Sequence, residues 1–358
     1  MRKLASIQEI TDIQPIEGRD RIVLATVLGW HVIVTTDFKV GDRVVFCEID
    51  SVLPEKPEFE FLRPKKFRIR TMKMANVVSQ GICFPLSILP ERAKPYELDE
   101  DVTDLIGVTQ YEPTMDKEES YEGFKEKNTK KYPAFLMRFA WFRRLVLPKK
   151  TKGAFPSFIS KTDETRVQNM PWVVNEKNEW TATEKIDGQS GTFALVRHKR
   201  LFRDTFEYIV CSRNLRIAHP DRSSYWKVSE KYQIENALKN MIGDREWIAL
   251  QGECIGPKIQ KNKYKVTECD LFIFNLLYPT GRVDSIRAKS ICENHGFRFV
   301  PIVEDHVVLP DTVDEVLAYA HGQSQIGDTI REGIVFRSRD GKQSFKAVDP
   351  EFLLKYSE

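Results

Sequence analysis

Lys185 stands between two carboxylates, Glu184 and Asp187, just ahead of Gly188 in the stretch TATEKIDGQS (181–190). A lysine amine can attack an electrophile only when neutral, and flanking carboxylates favour its charged form. With a reference pKa of ~10.4, a lysine is neutral about one time in a thousand at about pH 7.5. The stretch therefore supports two chemistries: a strand-end ion pair before a turn, or a reactive amine whose charge is managed by groups elsewhere. If a strand runs through 181–186, Lys185 and Asp187 project from one face. Gly188 then lets the chain turn and another group approach closely.

Four more segments carry residues able to do chemistry. ALQGECIGPKIQKNKY (249–264) delivers Gly252 and Glu253 to the end of a hydrophobic strand, followed by a loop with Lys258, Lys261 and Lys263. A glycine at that point in a strand suggests that something approaches the backbone. DLFIFNLL (270–277) places Phe272 and Phe274 on one face, and REGIVFRS (331–338) sets Glu332 ahead of a buried strand. SFKAVDPEFLLKY (344–356) carries Lys346 after an aromatic in a strand-like segment. Singly, each reads as readily as core or solvated surface. Together they form an ordered set: K-x-D-G, G-E after a strand, an aromatic strand, E-G-I-V-x-R, and a strand lysine.

The elements that must hold these residues divide the chain. Residues 1–100 read as short β-strands with frequent turns: RIVLATVLGWHVIV (21–34), DRVVFCEID (42–50) and FRIRTMKM (67–74), punctuated by Gly29, Gly41 and Pro54. That spacing favours a small antiparallel barrel. Residues 101–154 shift to acidic and then lysine-rich composition and are expected to form a linker or intervening segment, closing on the apolar, arginine-interleaved FLMRFAWFRRLVLPKK (135–150). Residues 155–358 alternate long strands with helical segments such as SSYWKVSEKYQIENALKNM (223–241), which predicts an α+β unit on antiparallel sheet. The formal net charge is only +3, so any nucleic-acid affinity must come from local patches. No apolar run approaches the ~20 residues of a membrane span, and the start of the chain lacks the apolar core of a secretory signal. The six cysteines show neither paired nor metal-ligand spacing, so a reduced intracellular protein with buried thiols and no membrane partner is expected.

The ordered set resembles motifs I, III, IIIa, IV and V of the covalent nucleotidyltransferase superfamily of DNA ligases, RNA ligases and mRNA-capping enzymes. CSRNLR (211–216), with Arg213, resembles motif Ia. DNA ligases and capping enzymes carry a barrel after motif V, whereas this chain stops 12 residues after Lys346. Its barrel-like region is N-terminal instead. IEGRDRIVLATVLGWHVIV, FKVGDRVVFCEIDSVLPE, FRIRTMK and VSQGICFPL are similar to the N-terminal OB-fold of RNA ligases of the Deinococcus/Naegleria type, RNA ligase family 5. FPSFISKTDETRVQN (155–169) resembles the lead-in to the lysine in RNA ligases. The resemblance covers roughly 1–95 and 155–358. It implies an N-terminal OB-fold β-barrel followed by an antiparallel-sheet adenylyltransferase domain.

The resemblance also implies an activity: ATP-dependent sealing of 3′-OH/5′-phosphate RNA nicks, by a monomer, through AMP carried covalently on Lys185 and then on the RNA. Asp187, Glu253 and Glu332 would hold Mg²⁺ or Mn²⁺, which suits hard oxygen ligands. A bound cation reverses the local field and favours the neutral amine. Lys346 and Arg213 would offset phosphate charge, Phe274 and Val335 would sandwich adenine, and Glu184 would accept from the adenine amino group. Motif V commonly holds two lysines one residue apart, but here Ser344 and Val348 flank Lys346 at that spacing, leaving Lys342 as a substitute. For RNA itself, RPKKFRIRTMK (63–73) offers Arg63, Lys65, Lys66, Arg68, Arg70 and Lys73 with no acidic residue. A strand there would alternate a buried face with a cationic one, suited to a phosphate backbone or simply to an edge protected from aggregation. Arg143, Arg144, Lys149 and Lys150 are further candidates. Two rival readings stand beside ligation: a capping-type guanylyltransferase, and an OB-fold RNA-binding protein without activity.

Overall fold

The computed structural model describes residues 3–111 and 152–356, except 177 and 218–222, with a few residues between 133 and 142. Most of the expected linker, with Arg143, Arg144, Lys149 and Lys150, lies outside the described residues.

Five antiparallel strands build the first unit, in the order Trp30–Thr35, Ile22–Val27, Ala5–Pro15, Arg43–Cys47, Ile82–Pro85. Ala5–Pro15 is long enough to serve two partners: its first half pairs with Arg43–Cys47 and its second with Ile22–Val27. A register shift between Ile10 and Asp12 separates the halves. Such irregularities bend a strand and raise its twist, which curls the sheet around a core. That core includes Ile7, Ile10, Val27, Trp30, Val32 and Phe46. Burial alternates along Trp30–Thr35 as a half-buried strand requires.

Two expectations for this region are corrected. The core continues through Val102, Ile106 and Val108, so the first unit runs past the boundary drawn at residue 100. The basic stretch 63–73 is not an alternating strand. A 3₁₀ helix, Pro57–Lys65, is followed by Lys66 and Phe67 with positive φ, and only Met72–Met74 is strand. Phe67, Arg68 and Ile69 are therefore all buried in succession.

The second unit has two sheets. The larger runs Lys152–Ala154, Leu215–Ile217, Thr205–Cys211, Gln189–His198, Trp247–Ile255, Asp270–Tyr278, Gly281–Arg282, with Arg298–Phe299 joined to Asp270–Tyr278. Segment 223–241 folds as two helices, Ser224–Lys231 and Ile234–Met241, because Gln233 takes a left-handed conformation between them. Their Val228, Ile234 and Leu238 pack on Phe193, Leu195 and Leu250 of the sheet. Each such buried side chain contributes about 1.5–3 kcal/mol. The smaller sheet runs Ile302–Val307, Trp180–Lys185, Gly333–Ser338, Ser344–Val348. Register sorts its faces. Trp180, Ala182, Ile334, Phe336 and Ala347 point into one core, leaving Thr183, Lys185, Val335, Arg337 and Lys346 on the other face.

A polar seam joins the two units. Trp30 Nε1 donates to Asn169 Oδ1 at 2.6 Å, Asn169 Nδ2 donates to Glu48 Oε1 at 2.6 Å, and the Gly29 amide donates to the Gln168 carbonyl at 2.8 Å. Arg166 pairs with Asp50 at 3.2 Å. All six cysteines are free thiols, five of them buried. Among the described residues, no helix is long and apolar enough to cross a membrane.

Candidate active site

Lys185 ends its strand opposite Gly333, so Glu332, the residue before, arrives beside it. Lys185 Nζ donates to Glu332 Oε2 at 2.7 Å. Past the strand end, the Asp187 amide donates to the Tyr264 hydroxyl at 2.8 Å, and the Asp187 carboxylate accepts from Lys263 Nζ. The Gly188 amide donates to Glu253 Oε1 at 3.2 Å. Both glycines expected to admit a close neighbour do so. A Cβ on Gly188 would lie 2.9 Å from Glu253 Cγ and nearer still to the Cys254 carbonyl. One on Gly252 would lie 2.8 Å from the Phe272 carbonyl oxygen. Three carboxylates from three separate segments thus surround one ammonium.

The charges in this cluster do not balance. Burial pushes Glu253 up to about 8, reinforced by Glu332 and Asp187 against the pull of Lys185. Burial likewise raises Asp187 to about 6, with Glu332 repelling and Lys263 attracting. Burial works against the Lys185 ammonium, yet Glu332, Glu253 and Asp187 outweigh it and hold its pKa above the ordinary value. The carboxylates alone do make Lys185 a charged, unreactive amine. Among the described residues, no three acidic, histidine or cysteine side chains form a ready-made metal cage. The donor set nonetheless fits a hard divalent cation: buried carboxylate oxygens carrying repulsion that such a cation would relieve.

On the same sheet face, Lys346 lies across from Val335, itself across from Thr183. Lys346 Nζ donates to Asp163 Oδ1 at 3.1 Å, and Arg213 pairs with the other Asp163 oxygen at 3.0 Å. The structure therefore brings Lys346 and Arg213 onto a single anion. Phe274 falls at a register irregularity: Gln251 opposes Asn275 while Gly252 opposes Ile273, which leaves Phe274 unmatched. Its ring is partly buried, with the Arg337 guanidinium 5.8 Å from the ring centre. Arg337 lies two residues beyond Val335 on the same strand face.

Three expected residues sit elsewhere. Glu184, one residue from Lys185 along the strand, leaves the opposite face. Its carboxylate accepts from Ser324 Oγ at 2.5 Å and the Gln325 amide at 2.9 Å, which ties down the 324–326 turn. Lys342 lies in the hairpin turn, exposed and paired with Asp340 at 3.3 Å, away from the cluster. Arg68 is buried, paired with Asp50 at 2.9 Å, its guanidinium 3.5 Å from the Tyr111 ring centre. Of the remaining basic residues in that stretch, Arg70 is half-buried, Arg63 is exposed but bonded to Glu60, and Lys65, Lys66 and Lys73 are exposed. Two site residues lay in quoted segments without an assigned role, Lys263 and Asp163. Lys263 is steadied by two rings of the last helix, Phe352 at 4.7 Å and Tyr356 at 5.0 Å. No spacing in the sequence marks it; only Phe352 and Tyr356, one helical turn apart, hint at a face receiving something.

Comparison with known proteins agrees with this geometry. An OB-fold domain profile matches residues 4–86, and an RNA ligase family profile matches residues 178–356. The structure of Naegleria gruberi RNA ligase with PPi is 30% identical, covers 100% of this chain and 99% of that one, and superposes with a TM-score of 0.83. A mutant of that enzyme with AMP and Mn is 29% identical over 99% of both chains, with a TM-score of 0.81. A second mutant, with ATP and Mn, is 29% identical over 99% of this chain and 98% of that one, also with a TM-score of 0.81. No curated protein sequence gives a significant match. With its lysine set among three carboxylates behind an N-terminal OB-fold, this chain belongs to the RNA ligase family.

Proposed function

We propose that this ATP-dependent RNA ligase, acting as a monomer, seals 3′-OH/5′-phosphate nicks in duplex RNA through an adduct on Lys185. The observation that carries this reading is the Lys185 ammonium held 2.7 Å from Glu332 with Glu253 and Asp187 beside it. Lys185 Nζ attacks the α-phosphate of ATP and displaces pyrophosphate; AMP then passes to the RNA 5′-phosphate; the 3′-OH attacks that phosphate and expels AMP. Asp187, Glu253 and Glu332 hold Mg²⁺ or Mn²⁺, whose charge favours the neutral form of the amine. The ATP, AMP and Mn bound by the Naegleria gruberi enzyme support these cofactors.

Lys346 and Arg213, already converged on the Asp163 carboxylate, exchange that anion for phosphate oxygens. Phe274 and Val335 take the adenine between them. Glu184, held by Ser324 and the Gln325 amide, keeps lone pairs with which to accept from the adenine amino group. The OB unit contributes RNA binding through Lys65, Lys66 and Lys73, the exposed remainder of its basic stretch.

The test is label transfer. Incubated with α-labelled ATP and Mg²⁺ or Mn²⁺, the wild-type protein retains label after denaturation, whereas Lys185→Ala does not. Absence of an adduct with ATP, or preference for GTP, overturns the reading.

A further inference from the structure

The hairpin between Gln189–His198 and Thr205–Cys211 ends in HKRLFRDT (198–205). Leu201 is 90% exposed and Phe202 95%, the most exposed large apolar side chains among the described residues. Adjacent apolar side chains left in water are unfavourable unless a partner covers them. The hairpin's lower rungs are closed: Arg197 pairs with Asp204 at 3.6 Å and lies over the Phe206 ring, and His198 bonds Glu207 at 3.2 Å. At the tip, Lys199, Arg200 and Arg203 are exposed, with no salt bridge among the described residues. Three cations and two apolar side chains therefore project together from a rigid two-stranded base.

We infer that this hairpin tip is an RNA-contacting arm, with Lys199, Arg200 and Arg203 on phosphates and Phe202, beside Leu201, against the riboses of the shallow minor groove. Cations beside apolar side chains match a polyanion whose wide, shallow minor groove also offers sugar surface. The inference rests on the ligase reading, because RNA is then the polyanion delivered to this molecule. Geometry fits as well. Strand Gln189–His198 begins beside the Asp187–Gly188 turn and runs to the hairpin, so its ten residues place the tip roughly 33 Å from the reactive lysine. An A-form duplex held at Lys185 covers that distance in roughly one helical turn. An anionic lipid surface is the competing partner for such a tip.

The experiment measures binding of the full chain to nicked RNA duplexes with arms of about 6 and about 20 base pairs, shorter and longer than the one-turn reach. Two variants are compared with wild type: Leu201→Ser/Phe202→Ser, and Lys199→Ser/Arg200→Ser/Arg203→Ser. Wild type is expected to bind the long-armed duplex more tightly than the short. The apolar variant should lose about ten-fold on the long duplex alone, as apolar surface is no longer covered. The charge variant should flatten the salt dependence by about 0.9 in slope for each phosphate that is no longer neutralised. Thermal midpoints and lysyl-AMP formation should match wild type in both. Undiminished long-duplex affinity in both variants overturns the arm, as does loss of binding to phosphatidylserine vesicles with RNA binding unchanged. The two claims fail separately: no lysyl-AMP in the wild type overturns the ligase reading, while equal long-duplex affinity overturns only the arm.

Discussion

Two clusters in this molecule combine basic and acidic side chains at low exposure, and their charge balance differs. Around Lys185, three carboxylates face one ammonium, with Lys263 shared on Asp187. The excess is visible as carboxyls raised to about 6 and about 8. Around Asp50, one carboxylate faces two guanidiniums, Arg68 and Arg166, one of them flat on Tyr111. These three side chains together join segments of the two units. Strongly raised acid pKa values cluster at functional sites, whereas Asp50 ties Arg68 of the first unit to Arg166 of the second. The first cluster has the pattern of a ligand site and the second that of a structural joint, although Arg68 comes from the more conspicuously basic stretch of sequence.

Four substitutions or conditions sharpen that contrast. Lys185→Ala should abolish label transfer from ATP, by at least about a thousand-fold, because the amine is the proposed nucleophile; residual labelling near wild type would mean that the carboxylate-rich cluster is not the reactive one. Asp50→Ala leaves two buried guanidiniums without their shared anion. It should cost about 3 kcal/mol of stability in denaturant titration, while the folded fraction still forms lysyl-AMP. Equal loss of adduct and stability would erase the distinction between the clusters.

The third effect is in pH. Glu253 moves from about 4.5 in the unfolded chain to about 8 in the fold, and Asp187 from about 3.8 to about 6. Raised acid pKa values mean that the fold holds protons the unfolded chain has released, so their stabilising contribution is full below about pH 4 and lost as pH rises toward 8. Relative to Glu253→Gln, the metal-free wild type should therefore lose thermal stability across that window. Added Mn²⁺ should reverse the trend, because it binds the ionised carboxylates. A wild type that tracks the glutamine variant at every pH would show Glu253 to be ordinary. Smallest of all, Lys65→Ala, Lys66→Ala and Lys73→Ala should each weaken RNA binding a few-fold and lower the salt slope by about 0.9 or less, with stability unchanged.

Much of the site was legible because its signals are local. Strands announce themselves by hydrophobic runs, and Gly188 and Gly252 mark close backbone approaches within two residues of the groups they serve. The order of Lys185, Asp187, Glu253, Glu332 and Lys346 along the chain is a property of the sequence itself. Side-chain direction was less secure. Glu184 is adjacent to Lys185 in sequence, and period-two alternation sends it to the other face, where Ser324 and Gln325 bind it from 140 and 141 residues away. Arg68 and Arg70 read as a cationic strand face because nothing in RPKKFRIRTMK reveals the left-handed turn at Lys66 and Phe67 or the distant Asp50 and Tyr111 that claim Arg68.

Sequence alone thus determined the repertoire: which groups could act as nucleophile, metal ligand and phosphate clamp, and which strands carry them. Tertiary structure decided assignment. Whether a cation meets a phosphate or a carboxylate depends on sheet register and on loops arriving from far along the chain, as Asp163 meets Lys346 across 183 residues and Lys263 meets Asp187 across 76. Local pattern encodes what a side chain can do; the charges and burial that surround it are set only when distant segments pack.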